Sequence, residues 1–345
     1  MTLSSPPVPT THPERASWRP TIARLPVVVA LLALVWCSLV AYVVFPDALG
    51  PAHAAALIPS IPAALVLYGL GIVSWRESAI ARIGLTLVMF WILMAVAAPY
   101  LPLVDPNRPI APFTPPFTAK AGHFFWLGAD MRGRDMLSRT LWGGQRVIVW
   151  GITATACAYV VGVAFGLMAG YLRGWWDEIL SFIANILLSF PVMVLLILVL
   201  NFLGQSGFSI ILAVTFSSAP GIMRIVRGLA LVESTRDYIQ AAQTRGESAP
   251  WIMVVEILPN VRGPLIVDAC LRLGYTTVAI TTLTFLGLGL QPPDPDWGLM
   301  IKEAASSALL WKFAYMMIVP SVAVSSLILG FNLMADGLRE MSLRD

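Results

Sequence analysis

The sequence predicts an all-α polytopic membrane protein, and three observations lead there. Of its 345 residues, 58% are hydrophobic and only 12% are charged, against about 25% charged in a soluble domain. The apolar residues gather in runs of about 20, the length a helix needs to cross the hydrocarbon core. Lys and Arg fall between these runs and favour one side of the implied membrane. The net charge of +3 is spread over many loops and marks no nucleic-acid surface. Cys37, Cys157 and Cys270 lie in apolar stretches and read as packing residues. His12, His53 and His123 share no ligand spacing, so no metal site is expected.

Residues 1–24 are rich in Pro, Ser and Thr and read as a disordered cytoplasmic tail. Residues 25–45 are uncharged for 21 positions, a full span and too long for the apolar core of a cleaved signal peptide. Residues 57–74 form a weaker second span, interrupted by Pro59 and Pro62. Residues 83–101 form a third, followed by a long polar segment at 105–145. Spans at 147–172, 179–203, 208–225, 265–290 and 313–333 bring the count to eight. With the N-terminus inside, thirteen Lys and Arg fall in cytoplasmic segments and eight outside, six of those in the single segment 102–146. That bias puts both termini and the polar stretch 238–259 in the cytoplasm.

Pro191, Pro220 and Pro320 lie inside spans, where each removes a helix hydrogen bond and predicts a kink. Gly162, Gly166 and Gly170, with Gly174 just beyond, stack on one helical face that another helix can approach closely. Asp268 and Arg272 stand inside the 265–290 span. Their i, i+4 spacing predicts a paired charge, facing either its own helix or a pathway.

The stretch 238–259 is the longest polar interruption in the C-terminal half. Tyr238 to Arg245 has helix-forming residues and no Pro or Gly. Gly246 can end that helix with a positive φ. Pro250 suits the first turn of a second helix, and Pro259 is expected to stop it. Ala241 and Ala242 leave a small-residue face open to a partner surface; an ordinary helical hairpin between two spans is the alternative.

Gly246 and Pro259 lie thirteen positions apart, and with Ala241-Ala242 and Leu258 this spacing resembles the cytoplasmic coupling loop of permease subunits in ATP-binding-cassette (ABC) importers. Further motifs resemble one branch, the second, C-type permease of oligopeptide, dipeptide and nickel systems. They are Leu127-Gly128-Ala129-Asp130, Gly133-Arg134-Asp135 and Ser138-Arg139; Gly166-Leu167-Met168-Ala169-Gly170-Tyr171; Phe285-Leu286-Gly287-Leu288-Gly289 with Gln291-Pro292-Pro293 and Trp297-Gly298; and Phe331-Asn332 with Asp336-Gly337-Leu338-Arg339. They cover residues 125–345. Two departures stand out. Gln240 replaces the usual Glu of the coupling motif, and Glu256 stands where this branch often has His.

The resemblance implies a type I ABC importer permease fold with six core transmembrane helices. The spans at 25–45 and 57–74 would then be an added N-terminal pair. The implied organisation is a tail at 1–24, the added pair at 25–82, the first core helix and external segment at 83–146, and the permease core at 147–345, with a coupling loop at about 227–262. The implied partners are a second homologous permease, two ABC ATPases carrying ATP and Mg, an extracytoplasmic solute-binding protein and the bilayer of the inner membrane. Peptides are the implied cargo, with nickel or a metal chelate as the alternative.

Coupling falls to Tyr238, Gln240, Ala241, Ala242, Gly246, Glu256, Leu258 and Pro259. Asp130, Arg134, Asp135, Gln291 and Trp297 are candidate contacts to the binding protein or, for the first three, a self-paired corner. Asp268 and Arg272 are candidate pathway residues. No cofactor or catalytic residue is expected in this chain. Lys120, Lys302 and Lys312 follow Ala, Ile and Trp, so no Gly-Lys-Ser/Thr phosphate loop exists. Ser206 has no nearby acid–base partner in sequence and its surroundings are not G-x-S-x-G. A non-transporting membrane scaffold is the rival class.

Overall fold

A computed structural model of the chain describes residues 60–74, 78–289, 292–307 and 311–342. The tail at 1–24, the span at 25–45 and Gln291 lie outside the described residues. Ten helices follow in order: α1 (Ser60–Ser74), α2 (Ala79–Ala97), α3 (Met136–Leu172), α4 (Gly174–Ser189), α5 (Val192–Leu203), α6 (Gly207–Glu233), α7 (Asp237–Thr244), α8 (Ala249–Leu286), α9 (Trp297–Ala305) and α10 (Tyr315–Ser342). Among the described residues five helices are long and apolar enough to cross a membrane, or six if the bent pair α4 and α5 is one span. Among the described residues a short hairpin, Thr118–Lys120 against His123–Phe125, departs from the helical pattern and was not expected.

The helix boundaries differ from expectation where polar residues are covered by protein rather than water. α3 begins at Met136, eleven residues before the expected 147. Its N-cap is Asp135, whose carboxylate accepts from Ser138 N at 2.7 Å. At 37 residues and about 1.5 Å per residue, α3 reaches about 55 Å, well beyond a core of about 30 Å. Its first turns carry Arg139 and Gln145, both buried under the segment that precedes them or against α2.

The expected span at 179–203 is two helices bent by 95°. Phe190 is extended (φ −83, ψ 139), the conformation forced on a residue before proline, and Pro191 N-caps the second half. Pro220 and Pro320, in contrast, remain inside continuous helices. The expectation that Pro259 stops a helix is corrected. The chain runs on through six π-helical residues, Ile252–Ile257, and Pro259 sits in the first turn of the α-helical segment that follows. A proline there removes only a donor that a starting α-turn does not use. Asn260 Nδ2 donates to the Glu256 carbonyl at 2.7 Å and supplies a bond at the junction.

The core is built on close helix approach. Among the described residues, α3 and α6 share the most extensive contact. A Cβ added at Gly162, Gly166 or Gly170 would lie 2.6, 2.6 and 2.7 Å from the Cβ of Ile222, Val226 and Ala230. Both rows repeat every four residues, so two helix faces meet almost backbone to backbone. Gly174, at φ +60 with open surroundings, is not part of this seam. α10 packs against α8 and runs antiparallel along α2, where Ser78 Oγ donates to Glu340 Oε2 at 3.1 Å. α1 packs on α2 through Ala63 and Ala64.

Candidate functional site

The bundle has two unlike ends. At one, α7 lies between the α6 terminus and the π-helical start of α8. Ile239 and Ala242 are fully buried in a cluster with Ile222, Val226, Ala230, Ile252, Ile257 and Val261. The opposite face of α7 exposes Gln240, Ala241, Gln243 and Thr244. The two alanines therefore do not share a face: Ala242 anchors the helix and Ala241 is presented. The helix ends in a Schellman turn, with Gly246 N donating to Gln243 O at 2.9 Å and Glu247 N to Ala242 O at 3.2 Å. Gly246 takes φ +79, as its placement after a helix demands.

Three side chains lock this bend to its neighbours. Tyr238 Oη donates to Glu233 Oε1 at 2.7 Å and accepts from Asn260 Nδ2 at 3.1 Å. Burial, reinforced by the Glu233 bond, pushes the Tyr238 phenol up to about 12, so it remains a neutral donor at neutral pH. Arg245 donates to Glu247 Oε1 at 2.7 Å and lies 3.6 Å from Glu256 Oε1. Glu256 thus faces a cation of its own chain across the Gly246 bend. Leu258 packs against the same cluster, and Pro259 is exposed. Arg245, Glu233 and Asn260 were not singled out from sequence; only the position of Arg245 beside Gly246 hinted at a role. Gln240, Gln243 and Thr244 border an open groove with Tyr171, Arg173, Ser234 and Thr235.

At the other end, the segment before α3 is clamped to α9. Arg134 Nε donates to Asp130 Oδ2 at 2.6 Å and its Nη2 to Glu303 Oε2 at 2.5 Å. Asp130 Oδ1 also accepts from the backbone N–H groups of Arg132 and Arg134. Arg139, fully buried, lies 3.9 Å from both carboxylates and donates to the Pro106 carbonyl at 3.2 Å. Trp297, also fully buried, donates to Thr140 O at 2.8 Å, and its ring meets Trp91 edge to face at 4.8 Å. Asp130, Arg134 and Asp135 thus form the self-paired corner that was the alternative to binding-protein contact, and the reading of Trp297 as a surface contact is corrected. All four are buried within this chain, and their polar groups are taken up by its own partners. Arg139, part of the Ser138-Arg139 motif, and Glu303 complete the corner; Glu303 was not singled out from sequence, because it lies 169 positions from Arg134.

Between the ends, Asp268 and Arg272 pair on α8, with Nε to Oδ2 at 2.7 Å. Tyr159 of α3 donates to the same Oδ2 at 2.5 Å.

Residues 162–341 match the family described as the binding-protein-dependent transport system inner membrane component. The chain is 37% identical over 215 residues to the glutathione transport system permease protein GsiD of Pectobacterium atrosepticum, an alignment covering 62% of this chain and 71% of that protein. It is 33% identical over 279 residues to the GsiD proteins of Escherichia coli O6:K15:H31 and Shigella boydii, covering 77% of this chain and 88% of each. The matched residues include the glycine seam, α7, the Gly246 bend and the α8 pair.

Proposed function

The chain belongs to the family of binding-protein-dependent transport system inner membrane components and is a permease subunit of an ABC importer; on that premise we propose that it moves peptides and that α7 with the Gly246 bend is where ATP hydrolysis reaches it. A solute-binding protein delivers the cargo to a path formed by this chain and a second permease. Two ATPases, holding ATP and Mg, dock at the α7 end. That end faces the cytoplasm, and the clamped corner at Arg134 and Glu303 faces outward. The relatives' name carries glutathione, a tripeptide, which favours peptide over nickel as cargo.

One observation supports the coupling role above the rest. α7 is held to the transmembrane core by Ile239 and Ala242, while its exposed residues are Asp237, Gln240, Ala241, Gln243 and Thr244. A displacement applied to that face is transmitted through packed side chains to α6 and α8, since close-packed interiors yield little. Tyr238, Gly246, Glu256, Leu258 and Pro259 fix the shape of the bend; Gln240 and Ala241 meet the ATPase.

The test is a Gly246→Val, Ala241→Glu double variant purified from detergent-solubilised membranes. Valine at φ +79 is strained by about 1–3 kcal/mol, yet a Cβ there meets nothing within 4 Å. The damage stays local. The expected result is loss of the co-purifying ATPase with the second permease retained. Retention of the ATPase and of transport-linked hydrolysis would overturn the coupling role. Absence of any ATPase with the unaltered chain would favour a scaffold.

A further inference from the structure

Asp268 lies at the middle of α8, about 15 Å along the axis from Leu258 at 1.5 Å per residue. It and Arg272 carry side chains that are 20% and 19% exposed on this chain. A charged pair inside an apolar span is costly against lipid and belongs against protein or a water-filled cavity. The pair is built with care. Tyr159 and Arg272 Nε both donate to Asp268 Oδ2, so two helices hold the carboxylate in place. The rest of the guanidinium crosses α6 immediately after Pro220. A Cβ on Gly221 would lie 3.2 Å from Nη2 and 3.3 Å from Nη1, so the absent side chain is what admits the group. Nε donates to Asp268, the guanidinium also contacts the Tyr159 hydroxyl, and the Nη groups lie in the notch at Gly221.

We propose that Arg272 is a cargo-binding residue of the translocation path, its Nη edge receiving the carboxylate of a peptide in transit. Tyr159, Asp268 and Gly221 are its positioning residues. A guanidinium already fixed at Nε can still grip a carboxylate with its remaining donors, and holding it in place beforehand lowers the ordering cost of that grip. The site is a way-station. The Asp268 charge beside it keeps the attraction from being that of an isolated cation, so the cargo can leave. This inference rests on the peptide-permease reading and adds the chemical group recognised.

The experiment uses the full complex, this chain with its second permease and ATPases, in proteoliposomes supplied with the binding protein. Uptake of one peptide is compared with uptake of its C-terminal amide. An Asp268→Asn, Arg272→Gln double variant removes both charges together and leaves no unpaired ion. The ratio of acid to amide uptake is expected to fall about tenfold, the worth of one charge-assisted contact. Arg272→Lys, which keeps charge but loses the fork, is expected to restore part of it. Selectivity of the binding protein is common to all variants and cancels in the comparison. An unchanged ratio with normal assembly overturns the proposal and leaves the peptide-permease reading standing. Loss of the second permease from the double variant assigns the pair to the permease interface and also overturns it. If the unaltered complex takes up no peptide, both readings fall.

Discussion

Gly166→Val is expected to prevent this subunit from reaching a stable folded state. The added Cβ would sit 2.6 Å from the Val226 Cβ and 2.8 Å from the Met223 carbonyl oxygen. Side-chain repacking cannot relieve a clash with backbone, so α3 and α6 would have to separate. Overpacking a core costs about 1–3 kcal/mol and occasionally more. Here the penalty lies at the upper end or beyond, because separation also loosens Gly162 against Ile222 and Gly170 against Ala230. Within a bilayer no hydrophobic force pulls the helices back together; van der Waals packing is most of what joins them. Thermal unfolding in detergent, followed by size-exclusion profile, should show aggregation well below the transition of the unaltered chain. The same substitution at Gly228 of α6, where a Cβ meets nothing within 4 Å and the backbone has no positive φ, serves as the control and should leave the profile intact. A Gly166→Val protein that is monodisperse with an unshifted transition would rule out the seam as the organising contact.

The second large effect is expected from Arg134→Ala. That guanidinium is 4% exposed and bonds both Asp130 and Glu303. Its removal leaves two carboxylates in a largely buried corner, with Arg139 3.9 Å from each and the more exposed Arg132 3.6 Å from Glu303. Breaking a buried pair from one side costs about 3–5 kcal/mol, because the surviving charge is stranded away from water. The segment at 101–135 should then detach from α9, and limited proteolysis should cut it rapidly while the transmembrane core survives. Adding Asp130→Asn and Glu303→Gln removes the stranded charges and should restore most of the resistance. Equal cleavage of Arg134→Ala and the unaltered chain would show that the clamp does not hold the corner.

These two sites mark how far the sequence could be read. The glycine row was legible because its meaning is local: three small residues at four-residue spacing define one helical face. The positive φ of Gly246 was legible for the same reason, since a helix-forming run followed by Gly has few other ways to end. Pro191 was expected to kink a span, but its 95° break was not. Pro220 and Pro320 carry the same residue type inside continuous helices. Pro259 was misread because a π-helical turn before it lets the helix continue. None of these differences is encoded in proline itself; each depends on what the neighbouring helices allow.

The sequence by itself determined the membrane class, the core spans, the close helix seam and the bend after α7. All follow from residue-level properties, namely hydrophobicity, size and backbone permissiveness, that need no distant partner. Only the tertiary structure decided which polar residues are buried and which are presented. It placed Arg134 on Glu303, turned Ala242 inward and Ala241 outward, buried Trp297, and set Arg272 in the notch at Gly221. The reason is physical. Burial and ion pairing are relations between residues far apart in the chain, and their partners exist only once the helices have packed.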